Sequence, residues 1–251
     1  MVKYGIVEPK KLQFPVRMLL VVPHKGKRLI VSYPAFGTNT FEGNRSGMNK
    51  IYSHPQTLKQ ISFKTPTTSE SISASAWNFE NIAKQEIFNP KWLQAGYIVQ
   101  TSEGVYVNPL RKGVPITDEK VLKSYLDKSK KVNGIYLYEG KDMRDFGFAP
   151  YDTFKQGLQD AIDFANGGLA RVLEHTEETA LNLENMAKSY PNRVMDKSLP
   201  SRVNVVEFDS VTVPVLRVVS LDSGRDFVNG KLSVGGYDLN CEGGFAFGIL
   251  K

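Results

Sequence analysis

The sequence predicts an α+β fold: an antiparallel-rich sheet built from N-terminal and C-terminal strands around a helical middle. Short β-branched runs bounded by Gly, Pro and Asn crowd both ends of the chain. Apolar residues at three- and four-residue steps fill the centre. A hydrophobic share of 41% against 23% charged residues is enough to bury a core.

In chain order, Val16 to Val22 and Arg28 to Tyr33 read as two strands joined by the turn Pro23 to Lys27, whose Gly26 marks a hairpin. From residue 34 to 57 the composition shifts to Gly, Asn, Ser and Thr without periodicity, which predicts a long loop. Lys59 to Lys64 alternates polar and apolar, as a strand does. Ile72, Ala76, Phe79, Ala83 and Ile87 define one stripe of a helix from about Ser69 to Phe88. Thr67 or Thr68 supplies its cap, and Glu70 suits its positive end. Asn89-Pro90 restarts a short helix that stops at Gly96.

Tyr97 to Thr101 and Val105 to Asn108 flank the turn Ser102 to Gly104, a second hairpin. Thr117-Asp118 opens a helix to about Lys131, and Gly134 to Tyr138 is a short buried strand. The apolar face of Phe154, Leu158, Ile162, Ala165, Leu169, Leu173, Ala180, Leu183 and Ala187 predicts a long helix over about 153–190. Gly167-Gly168 kinks it, because two glycines cost about 2 kcal/mol of helix propensity relative to alanine. Strands return over Val203 to Phe208 and Val211 to Val219, and in a glycine-rich finish. One domain, 1–251, accommodates this pattern; a boundary near 113–115 is the alternative.

The single cysteine, Cys241, excludes an internal disulfide and a cysteine-based zinc site. His24, His54 and His175 lack further ligands at metal spacing, so no cofactor is expected. The start carries no apolar stretch of signal-peptide length, and Met18 to Val22 is too short to span a bilayer. The expectation is a cytoplasmic chain with no membrane partner.

Net charge is +6, unevenly spread: the first 64 residues hold eleven Lys/Arg against Glu8 and Glu42. Cations of this density suit phosphate, and aromatic residues among them suit the stacking of unpaired bases. The expected function is therefore binding of a polyanion, with nucleic acid as the partner class. Lys25, Lys27, Arg28, Arg45 and Lys50 would contact phosphate, with Tyr33, Phe36 and Tyr52 as stacking partners. A second reading takes Glu139 and Lys141, after an apolar strand, with Asp118 as a metal-dependent nuclease site, since a carboxylate-bound metal would activate water. A third is a subunit of a viral or other large assembly, or a homo-oligomer.

Overall fold

The computed structural model describes residues 18–54, 57, 59–81, 93–189, 201–222 and 231–251. Val16, Arg17, the Asn89-Pro90 restart and Tyr190 lie outside the described residues.

The fold is α+β with antiparallel-rich mixed sheets and interspersed helices. β1 (Met18–His24) and β2 (Lys27–Tyr33) form the expected hairpin, with Val21 opposite Ile30. Lys25 and Gly26 take φ of 45° and 72°. Two consecutive left-handed residues make the tight turn whose twist matches the strands.

The expected 34–57 loop is instead β3 (Phe36–Asn39), α1 (Phe41–Met48) and β4 (Ile51–Ser53). Its polar composition misled because Phe41 and Met48, both buried, are the helix's two apolar residues and polar side chains supply the rest of its anchorage. Thr40 accepts from the Gly43 amide at 3.1 Å, and buried Asn44 donates to the Gln94 side chain at 2.9 Å and the Gly244 carbonyl at 3.0 Å.

β5 (Gln60–Lys64) leads into α2 (Thr68–Asn81). Thr67 caps α2 reciprocally with Glu70: the Thr67 amide donates to the Glu70 carboxylate at 2.8 Å, and the Glu70 amide donates to the Thr67 hydroxyl at 3.2 Å. β6 begins at Leu93, so residues 93–96 are strand and not the end of a short helix. β6 (Leu93–Gln100) is buried throughout because β7 (Gly104–Val107) and a later strand flank it. At Gly96 a Cβ would lie 2.2 Å from the Thr68 hydroxyl, so glycine lets the start of α2 close on the strand.

β8 (Leu110–Arg111) and β9 (Val114–Pro115) form a small hairpin at the alternative boundary. Its tip residues Lys112 and Gly113 repeat the left-handed pair, with φ of 50° and 80°. α3 (Glu119–Leu126) is shorter than expected, and residues 130 and 131 already belong to β10 (Lys130–Val132). β11 (Ile135–Leu137) and β12 (Gly147–Pro150) follow.

The long helix over 153–190 is not one helix. Tyr151–Thr153 is a single 3-10 turn, and the chain then forms β13 (Gly157–Asp160), α4 (Ala161–Asn166), α5 (Gly168–Leu173) and α6 (Leu181–Ser189). Gly157 has φ +83°, Gly167 is extended between α4 and α5, and His175 has φ +48° beyond α5. Ala165, Leu169, Leu173, Ala180, Leu183 and Ala187 are buried from separate pieces, so much of the helical spacing survives without a continuous helix, although Ile162 in α4 is exposed. Leu158, counted on that face, is strand and 51% exposed.

β14 (Arg202–Val206), β15 (Val215–Asp222), β16 (Lys231–Tyr237), β17 (Gly244–Ala246) and β18 (Ile249–Leu250) complete the chain. One sheet has the order β1-β2-β18-β5-β4, which seats the last strand among the first ones. The larger sheet runs β10-β11-β12-β7-β6-β15-β16-β14-β13, with β17 joining β3 to β6. Ladders are antiparallel except β14 with β16 and β17 with β6. Among the described residues, no helix is long and apolar enough to cross a membrane.

Candidate anion-binding cleft

Four segments converge on an open cleft of about 660 Å³. The end of α1 brings Arg45 and Asn49, and the β5–α2 junction brings Lys64 to Thr67. The β8–β9 hairpin brings Leu110 to Gly113, and the turn between β11 and β12 brings Lys141, Asp142 and Arg144. Among the described residues, six of those lining the cleft are Lys or Arg, Asp142 is the one acid, and none is aromatic.

Arg45 is a brace. Its guanidinium donates to Glu42 at 2.9 and 3.1 Å, to the Gly113 carbonyl at 3.0 Å and to the Tyr97 hydroxyl, and it lies 5.0 Å from the centre of the Tyr97 ring. It thus ties α1 to β6 and to the β8–β9 tip. Glu70, buried at the start of α2, forms ion pairs with the Arg144 guanidinium at 2.6 Å and the Lys64 ammonium at 3.5 Å. Asp142 accepts from the Tyr138 hydroxyl at 2.7 Å and the Tyr125 hydroxyl at 2.9 Å. Those two bonds, with a weaker pull from Arg111, hold its carboxyl below the usual carboxylate range.

Arg111, Lys112 and Lys141 are exposed, and among the described residues none of them has a side-chain hydrogen bond or ion pair. Six cations against Glu42, Glu70 and Asp142 leave three positive charges in excess. Lys112 and Lys141, and Arg111 apart from its weak pull on Asp142, can meet negative groups without breaking a hydrogen bond or ion pair.

A second polar cluster lies behind the cleft wall, one residue from Arg144. Asp145, with φ +50°, accepts from the hydroxyls of Thr67 and Ser69, each at 2.6 Å, and stands 4.0 Å from both Lys25 and the His175 ring. Burial works to raise the Asp145 carboxyl, but Lys25, the two hydroxyls and His175 overcome it and hold the group at about 2. Lys25 also donates to Ser69 at 3.2 Å, and His24 meets the Ser73 hydroxyl at 2.8 Å. Burial, with Lys25 close by, lowers both histidines. Next to His175, buried Glu174 accepts from the amides of Leu183 and Asn182 at 2.7 and 3.3 Å and so caps α6. Burial still pushes its carboxyl up to about 7. This cluster clamps the β1–β2 tip and α5 to α2.

Of the five cations expected from sequence to contact phosphate, Arg45 lines the cleft. Lys25 turns to Asp145, Lys27 and Arg28 are exposed at the start of β2, and Lys50 is exposed just beyond the cleft residue Asn49. Phe36 and Tyr52 are buried around Phe63, with ring centres 5.6 to 5.8 Å apart. Their rings serve packing and have no face to offer a base. Tyr33 is half-buried against the main core. Sequence reasoning counted Lys64 in the basic front end without assigning it a contact, and did not single out the cleft-lining cations Arg111, Lys112 and Arg144. The left-handed signature Lys112-Gly113 was the available signal for a presented hairpin tip.

The nuclease reading is not supported. Asp118 is engaged as the cap of α3, accepting from the amides of Lys120 and Val121 at 2.9 and 3.2 Å. Among the described residues, no group of three His, Cys, Asp or Glu side chains is placed to hold a metal ion. Lys141 lines the cationic cleft instead.

No family model and no curated protein matches this chain. A solved structure described as "Accommodation of massive sequence variation in Nanoarchaeota by the C-type lectin fold" is similar over 85% of this chain and 91% of its own, at 12% identity and a TM-score of 0.43. A likeness that distant identifies neither a family nor a ligand.

Proposed function

We propose that this chain is a binding protein whose cleft takes a polyanion, with nucleic acid as the partner class, held through phosphates rather than through bases. The observation that carries the reading is the convergence of six Lys/Arg on one cleft, three of them without a described partner. Cations at this spacing displace condensed counterions from a phosphate chain, which is the main source of sequence-independent affinity. Among the described residues the lining is cationic and not aromatic, so what this cleft offers a ligand is charge.

Fluorescence anisotropy of labelled single-stranded DNA and RNA at low salt tests this. The variant Arg111→Glu/Lys112→Glu/Lys141→Glu is expected to abolish binding while keeping the wild-type melting temperature, since all three side chains are exposed. The control Lys27→Glu/Arg28→Glu, away from the cleft lining, should keep most of the affinity. Undiminished binding by the triple variant would refute the assignment.

A further inference from the structure

The cationic surface continues past Asp142. Along β11, Ile135 and Leu137 belong to the main core, whereas Tyr136 and Tyr138 belong to the aromatic cluster under α3. Lys131 pairs with Tyr136 across the β10–β11 ladder, which puts both on the α3 side of the sheet. Its ammonium stands 5.2 Å from the centre of the Tyr136 ring. Lys130 points to the opposite face and pairs with Glu177.

Just beyond α3, the Lys128 ammonium stands 5.5 Å from the centre of the Tyr125 ring. Tyr125 meets Tyr138 edge-on at 5.2 Å, and both donate to Asp142 at the cleft rim. A tyrosine wall, half-exposed at Tyr136 and Tyr138 and buried at Tyr125, therefore joins the cleft to Lys128 and Lys131. Both lysines are exposed, and among the described residues neither has a carboxylate partner. An ammonium over a ring face keeps N–H groups free to donate outward, while the ring limits where it wanders.

We infer that a single phosphodiester strand seated in the cleft runs on past Asp142 and over this tyrosine wall to Lys128 and Lys131. The site is then bipartite, with Asp142 between two groups of cations. Asp142 keeps phosphates to either side of it, and an unpaired strand can bend over the rim where a stiff duplex cannot. This inference rests on the polyanion reading of the cleft and adds the ligand's path and its strandedness.

The test compares oligothymidylates of ~5 and ~20 nucleotides, bracketing the usual site sizes of single-strand grooves. The longer strand should bind wild type on the order of 10²-fold more tightly, because it engages two linked groups of cations. Lys128→Glu/Lys131→Glu, and the milder Lys128→Gln/Lys131→Gln, should remove that advantage and leave the shorter strand's affinity unchanged. A length advantage that survives both variants, or a long duplex that binds as tightly as the long strand, would overturn the path while the cleft reading stands. Failure of wild type to bind either strand at low salt would remove both.

Discussion

Glu70 caps its own helix and, from the same buried carboxylate, forms an ion pair with Arg144 at 2.6 Å beside the cleft. One acid thus sets the start of α2 and restrains two of the cations that line the cleft.

Replacing Glu70 with Gln separates these roles. A glutamine still completes the capping box, so the helix start survives. Loss of the charge-assisted bonds should lower stability by about 1 kcal/mol, since Arg144 is 46% exposed and water screens much of that pair. Lys64 and Arg144 would then be uncompensated, and oligonucleotide binding should tighten. Anisotropy titration alongside a thermal melt checks both effects; weaker binding by a folded Glu70→Gln protein would contradict the account.

Asp145 predicts an acid transition. Its folded carboxyl is held at about 2 against an ordinary 3.8, so its contribution to stability is present above pH 4 and is lost as pH falls toward 2. The size is about 2 kcal/mol. Melts of wild type and Asp145→Asn across that range should converge as pH falls. A constant gap between them would show that Asp145 does not titrate within the clamp.

Glu174 predicts the opposite slope. Its folded carboxyl is pushed up to about 7 from 4.5, so the folded state holds the proton longer than the unfolded chain and stability falls as pH rises between those values. His24 and His175, both lowered by burial, act against this at mildly acidic pH. The Glu174 effect is therefore read as a difference. Glu174→Gln should gain stability relative to wild type from pH 5 to pH 8, on the order of 3 kcal/mol. A pH-independent difference would count against that assignment.

Local chemistry made part of the fold legible in the sequence. The Lys25-Gly26 turn, the Thr67/Glu70 cap and the hairpin around Gly104 each depend on neighbours in the chain, and each forms as expected. Residues 41–48 were illegible because α1 is held by Asn44 reaching Gln94 and Gly244, partners far away in sequence. The 153–190 segment misled for a related reason: apolar spacing records which side chains face the core, while Gly157, Gly167 and His175 decide where each helix stops.

The cleft shows the same divide. Excess charge in the first 64 residues was visible, yet among the described cations of that stretch Arg45 and Lys64 alone line the cleft. Arg111, Lys112, Lys141 and Arg144 join them because the β8–β9 hairpin and the turn after β11 fold over the start of α2. Phe36 and Tyr52 looked available for stacking only because sequence spacing does not report that Phe63 packs against both.

The most direct measurement is the salt dependence of binding to a single-stranded oligonucleotide. The account predicts a steep linear fall of the logarithm of the association constant with the logarithm of salt concentration, with a slope that shrinks by about 0.7 for each of Arg111, Lys112 and Lys141 removed. Binding indifferent to salt, or a slope unchanged when all three are replaced, would contradict it.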